Sequence, residues 1–254
     1  MRIGGRTSIT LFLLALAAVA PQMLRAQGGP PLLTDDPGTP GNRHWEINMG
    51  FTLERSSAAT LLETPRIDLN YGLGERIQLK YELPWRVLDP SGAGTRSGLG
   101  NSLMGVKWRF MDEERHGISV SIYPQLEFNN PTSSADRALA EKGRQFLLPV
   151  ETSKHVGPLE LNLEFGHLFR ESLPDEWLYG LAVAHRLHPR LELLGELHGT
   201  ALRNFAQDEL LFDLGGRFRL NRYLVLLFTT GRSIRGVPGE APSLFGYWGL
   251  QLNF

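Results

Sequence analysis

From residue 43 to the end, apolar side chains recur at every second position, which is the period of a β-strand and not of a helix. In 43–53, Trp45, Ile47, Met49 and Phe51 fall on one face, with Glu46 and Asn48 on the other. In 63–71, Ile67, Leu69 and Tyr71 oppose Arg66, Asp68 and Asn70, and in 76–85 Ile77, Leu79, Tyr81, Leu83 and Trp85 oppose Gln78, Lys80 and Glu82. A fourth strand sets Met104, Val106, Trp108 and Phe110 against Lys107 and Arg109. In 118–129, Val120, Ile122, Leu126 and Phe128 alternate with Ser119, Ser121, Gln125 and Glu127, and Pro124, which cannot donate to a ladder, predicts a bulge or weakly paired site. The pattern continues through 143–156, 159–170, 176–187, 191–202, 209–220, 223–234 and 244–254. It predicts about twelve strands, each near the ~9–11 residues that a tilted strand needs to cross a bilayer.

The connections sort by length. Those near 56–62, 86–97, 130–142, 171–174, 203–208 and 235–243 are long or glycine-rich, whereas those near 72, 112, 157, 188 and 221 are short. Long outside loops, short inside turns and an even strand count are the rules of a transmembrane barrel, and a soluble sandwich has no reason to follow them. The predicted fold is all-β: a single antiparallel transmembrane β-barrel over 43–254, of about twelve strands, with short periplasmic turns and longer extracellular loops. Within the longest connection, 133–143 reads as a short helix capped by Ser133, with Asp136 three residues on and Gly143 ending it. The Pro- and Gly-rich stretch 27–42 reads as a periplasmic N-terminal segment; for Pro30 to Gly41 a mobile tail, and for the loop helix near Ser134 to Lys142 a surface decoration, are the first readings, with a place inside the barrel as the alternative for either.

Composition narrows the class further. Arg2 and Arg6, the apolar run 9–20 and the small residues after it have the layout of a secretory signal peptide over 1–26, cleaved after Ala26 or Ala20. The chain has no cysteine, so neither a disulfide nor a thiolate metal site holds it together. A net charge of −1 with no basic block argues against a nucleic-acid partner. Gly98 and Gly100 begin a strand with no helix after them, so a nucleotide site is not expected, and the His and carboxylate spacings suit no metal. No cofactor is expected.

The face opposite the apolar one carries Arg66, Asp68, Lys80, Glu82, Lys107, Arg109, Glu127, Glu151, Glu160, Glu164, Arg186, Glu192, Glu196, Asp213, Arg217 and Arg219. These are the candidate lumen-lining residues. With both signs in similar number they either guide a solute through a polar conduit or pair into a filling that props the barrel, and a ring of ~12 strands is wider than one that side chains simply fill. Trp45, Tyr71, Trp85, Phe110, Trp177, Tyr223 and Phe254, near strand ends, fit interfacial girdles. A lipid hydrolase would need a His and a Ser two apart; His198 has only Thr200 at that spacing, which does not support the acyl-transfer geometry. A structural or adhesive barrel without transport is the other alternative.

The last strand alternates Leu244, Trp248, Leu250, Leu252 and Phe254 with Tyr247, Gly249, Gln251 and Asn253 and then stops, which would leave a sticky edge unless it closes on the first strand. It resembles the terminal strand of Gram-negative outer-membrane barrels, whose final Phe belongs to the signal read by the assembly machinery. That likeness makes Phe254 the candidate assembly signal, and outer-membrane lipids and the barrel assembly machinery the implied partners. Three further stretches carry a family resemblance: Pro30 to Gly41 with Thr34, Asp35, Asp36 and Pro37, followed by Trp45 to Asn48; Leu69 to Leu73; and Gly98 to Trp108. They resemble the bacterial outer-membrane barrel family labelled MetA-pathway of phenol degradation, over nearly the whole mature chain. The resemblance implies an outer-membrane channel or transporter for passive passage of a small-molecule solute, of aromatic or hydrophobic kind, and brings no catalytic residues.

Overall fold

The computed structural model describes residues 29–130 and 135–254, and over them the chain is almost wholly extended. The expected leader and the Ser133 cap lie outside the described residues. The strands are β1 (Trp45–Arg55), β2 (Ala59–Leu73), β3 (Ile77–Pro90), β4 (Arg96–Leu99), β5 (Ser102–Met111), β6 (Ser119–Ile122), β7 (Gln125–Phe128), β8 (Gln145–Val156), β9 (Leu159–Arg170), β10 (Glu176–His188), β11 (Leu191–Leu202), β12 (Asp208–Arg219), β13 (Leu224–Arg235) and β14 (Leu244–Asn253). β4 and β5 are successive parts of one stave, both paired with β3, and β6 and β7 are successive parts of another, held between β5 and β8. Fourteen segments therefore make a ring of twelve antiparallel staves.

Closure comes from β1 and β14, whose register runs from Glu46 opposite Asn253 to Arg55 opposite Leu244. The ladder extends to the final residue: the Trp45 N–H donates to the Phe254 carbonyl at 2.7 Å, and the Phe254 N–H to the Trp45 carbonyl at 3.1 Å. This seam leaves no edge between the first and last strands, and at the loop rim the short β4 pairs with β3 on one side. The period-2 pattern then fixes two surfaces. Met49, Leu79, Tyr81, Val106, Trp108, Phe146, Val150, Leu163, Phe165, Leu214, Leu226 and Trp248 all stand exposed on the outside. An apolar band around a closed ring is the surface that a bilayer covers. Among the described residues no helix is long and apolar enough to cross a membrane.

Local departures have local causes. The ladder breaks at Tyr123 and Pro124, between β6 and β7, where the proline has no N–H to give. The Tyr123 ring turns inward there and is fully buried. Register shifts between Gly50 and Thr52 on β1, and between Glu63 and Arg66 on β2, change the phase of the alternation without ending the ladder. For that reason β1, β2 and β3 run further than the periodicity shows, and the first two loops shrink to 56–58 and 91–95. The expected helix at 133–143 is reduced, among the described residues, to the single 3-10 turn Ala135–Arg137. A short helix, α1 (Glu113–His116), makes the β5–β6 turn and ends on Gly117 at φ 75°, a left-handed position that favours glycine.

Candidate functional site

The N-terminal segment, expected as a tail, lies inside the barrel. It passes the turn-end rim at Gly72, where a Cβ would stand 1.8 Å from the Gly41 carbonyl oxygen, so only glycine lets the two backbones approach. The Arg43 N–H donates to the Gly72 carbonyl at 2.9 Å and secures that crossing. Deeper in, Leu32 packs on Ala182, Ala184 and Leu194, small and apolar inward positions of β10 and β11 that make room for it. A second glycine serves the same end: a Cβ on Gly180 would meet the Thr34 hydroxyl oxygen at 2.1 Å.

Polar contacts fix the segment's height. The Leu33 N–H donates to Glu196 Oε2 at 2.9 Å, the Thr34 N–H donates to Glu196 Oε1, and the Asp35 N–H donates to Glu164 Oε2 at 2.9 Å. Lys107 Nζ donates to Asp35 Oδ1 at 2.6 Å and to the Asp36 carbonyl oxygen, while also lying 3.4 Å from Glu151. Arg217 reaches the Gly29 and Pro30 carbonyl oxygens at 3.4 and 3.5 Å. Thr34 and Asp36 are buried among these groups. The gap between the segment and Asp68, Lys80 and Lys107 has a cavity volume of about 10 Å³, room for about one water molecule.

Register explains why the segment fits. Glu151 stands opposite Glu164, and Glu196 opposite Asp213, so the inward face sets like charges side by side. Two of those carboxylates meet backbone N–H donors of the segment, and Glu151 meets Lys107 and the Ser121 hydroxyl, 2.6 Å away. Sequence reasoning gave the stretch that holds Leu32, Thr34, Asp35 and Asp36 a place inside the barrel only as its alternative and did not single them out as lumen residues. Their signal was indirect, since acidic positions without a cation across the ladder ask for another partner, and that lack is visible only once the strands are in register.

The remaining candidate residues fall into three groups. On β2 and β3, Arg66 pairs with Glu82 at 2.8 Å, and Lys80 with Asp68 at 3.2 Å and Glu82 at 3.4 Å. Toward the turn end, Arg217 pairs with Glu192 at 3.1 Å, Glu160 lies 3.5 Å from His155, and Arg186 and Arg219 sit at the rim and not within the bore. There too Arg109 holds Asp112 at 3.0 Å, with Arg76 as second partner. Burial pushes the Asp112 carboxyl up, but Arg109 and then Arg76 outweigh it and hold it below its ordinary range. Toward the loop end, Glu127 accepts from Asn101 at 2.8 Å.

The loop end is partly covered. Leu139 and Ala140 are buried; Arg86 donates to the Leu139 carbonyl at 3.3 Å, Asn101 to the Glu141 carbonyl at 3.0 Å, and Arg170 pairs with the Glu141 carboxylate at 2.8 Å. Residues 135–142 thus fold inward over the β3–β9 side. The inward face is also less uniformly polar than strand-by-strand reading suggests. Leu147, Leu168, Leu178, Leu211 and Leu227 take inward positions on β8, β9, β10, β12 and β13. His198 and Thr200 share that face, opposite Leu211 and Glu209.

No family model matches the chain, and no curated protein matches it in sequence. Solved structures do match. An outer membrane channel from Pseudomonas putida superposes with a TM-score of 0.70 at 14% identity, covering 90% of this chain and 100% of that one. The NanC porin gives a TM-score of 0.55 at 10% identity, covering 83% and 98%. The KdgM porin in complex with disordered oligogalacturonate gives 0.55 at 9%, covering 82% and 99%. At such identities the likeness speaks for architecture, and the protein has the closed antiparallel β-barrel fold of outer-membrane channels and porins.

Proposed function

We propose that this protein is an outer-membrane channel for passive passage of small molecules, whose bore is set by residues 29–38. The observation that carries this reading is how the segment is held. It forms no strand of the sheet, and a handful of hydrogen bonds to Glu164, Glu196 and Lys107, with one apolar side chain, keep it in place. Each such bond to a charged group is worth about 1.5–3 kcal/mol, and none is a rung of the sheet, so withdrawing the segment breaks no strand pairing of the barrel. The fold shared with outer-membrane channels supports the same reading. The charged inward residues of β2, β3, β5, β9 and β11 then line the path or hold the segment that blocks it. The resemblance to the phenol-degradation family makes small aromatic compounds the first solutes to try. Phe254, bonded to Trp45 where the ring closes, serves as the signal to the assembly machinery.

The test is single-channel recording of the refolded barrel in planar bilayers with potassium chloride, beside a variant lacking residues 29–38. The wild type should pass small, interrupted currents, and the shortened chain larger and steadier ones. The near-absence of space beside the segment favours a second reading, a structural barrel that conducts nothing. Silence from both proteins, each shown to be folded, would select it.

A further inference from the structure

Resting on the channel reading, we propose that the preferred solute is a small amphipathic anion, an apolar body carrying one carboxylate. The loop-side half of the bore, beyond the N-terminal segment, has two unlike walls. On β2 and β3, Glu63, Arg66, Glu82 and Arg86 form a charge ladder, with Arg66 to Glu82 and Arg86 to Glu63 both at 2.8 Å. Its cations are the more exposed part, with Arg86 also donating to the Leu139 carbonyl of the rim segment at 3.3 Å. The Arg66 and Arg86 side chains keep 26% and 25% of their surface exposed, and the Glu63 and Glu82 side chains only 9% each. A solute therefore meets guanidinium groups first, and a planar guanidinium with donors to spare suits a carboxylate.

Across the ring stands β10, the sixth stave from β2 in either direction. There the inward positions are Leu168 on β9, Leu178 on β10 and Leu211 on β12, with His198 and Thr200 of β11 between the last two; Leu211 is buried, and Leu168 and Leu178 are the half-buried part that a solute meets. The two walls share a height. Arg66 lies seven residues from the turn-end residue Leu73 of its strand, and Arg86 nine from Ile77. Leu211 lies eight from Arg219, Leu168 nine from Leu159 and Leu178 ten from His188. Leu178 is also two positions beyond Gly180, where Thr34 of the segment sits, so it clears the blocked part. A fully hydrated ion gains nothing from the leucine wall, and an apolar molecule gains nothing from the arginines. A molecule with both characters is held by both. Glu54 and Glu209 also face this half and would instead select an amphipathic cation.

The test uses reversal potentials of the full-length barrel in bilayers, with benzoate and acetate as probes. Size alone makes acetate the more permeant. The two-wall bore should reverse that order by several-fold. Leu168→Asn with Leu178→Asn should restore acetate's advantage, Arg86→Gln should lower benzoate permeability relative to potassium, and the outward Leu181→Ala should change neither. Acetate ahead of benzoate in the wild type, an unchanged ratio in the leucine variant, or preference for an amphipathic cation would each overturn the assignment. If no current flows even in potassium chloride, the channel reading fails by itself. Titration calorimetry of the detergent-held barrel then decides the amphipath site, with benzoate bound more tightly than acetate and weakened in the leucine variant if it exists, and no difference between the two anions if it does not.

Discussion

The two halves of the bore are built from the same strands yet solve the burial of charge differently. In the turn-side half, carboxylates stand opposite carboxylates, as Glu151 with Glu164 and Glu196 with Asp213, and the ladder cannot neutralise them. Chain from outside the sheet supplies hydrogen-bond donors to Glu196 and Glu164, through the N–H groups of Leu33, Thr34 and Asp35, and Asp35 pairs with Lys107, which also lies 3.4 Å from Glu151. In the loop-side half, Arg66 pairs with Glu82 and Arg86 with Glu63 across adjacent strands, and the chain that folds in from the rim meets this ladder where Arg86 donates to the Leu139 carbonyl. Where charges pair across neighbouring strands the bore needs fewer outside donors, whereas like charges in register draw in a segment that supplies them, because a buried charge without a partner is costly.

Perturbing the occupant alone should break this contrast most strongly. Deleting residues 29–38 should raise single-channel conductance several-fold in bilayer recordings, and an unchanged conductance would mean that the segment does not set the bore. Next in size, Gly180→Ala places a methyl group where the Thr34 hydroxyl lies, so the segment should sit less deeply while every charged residue stays in place. Steadier and larger openings, with unaltered heat stability of the barrel on gels, are the expected signature.

A smaller effect should come from Glu196→Gln, which keeps the shape but removes the charge that two backbone N–H groups share. Hydrogen bonds to a charged group are worth about 1.5–3 kcal/mol, so closed times should shorten by roughly tenfold or more. The same substitution at Glu82 on the loop side should alter ion selectivity and leave closed times alone. Smallest of all is Asp112→Asn at the turn-end rim, outside both halves. Because Arg109 and Arg76 hold the Asp112 carboxyl low, its contribution is present above the ordinary carboxylate range and fades as pH falls through its lower folded value. Urea unfolding in lipid vesicles should show a loss of about 1 kcal/mol or less at pH 7 and a flatter decline below about pH 4.

Much of the fold was legible because lipid imposes a simple rule on one face of each strand. The apolar alternation at Ile47, Met49 and Phe51, or at Leu159, Leu161 and Leu163, survives any uncertainty in neighbours, since the bilayer asks the same of every strand. Pro124 announced its break because a missing donor is a local property. The extensions of β1, β2 and β3 were not legible, because the bulges at Gly50 and Glu63 shift the phase and imitate the end of a strand. Nor did the pattern show that Leu168, Leu178 and Leu211 share one wall, since period 2 assigns a face and says nothing about which strands confront each other across a ring.

By itself, then, the sequence determined the architecture and the polarity of the outer surface, because both follow from alternation along single strands in a uniform solvent. Tertiary structure alone decided where residues 29–44 go, which carboxylates lack a cation and which wall faces the arginines. Each of these depends on register and closure, and so on pairings between residues far apart in the chain, such as Leu33 with Glu196, that no local periodicity encodes.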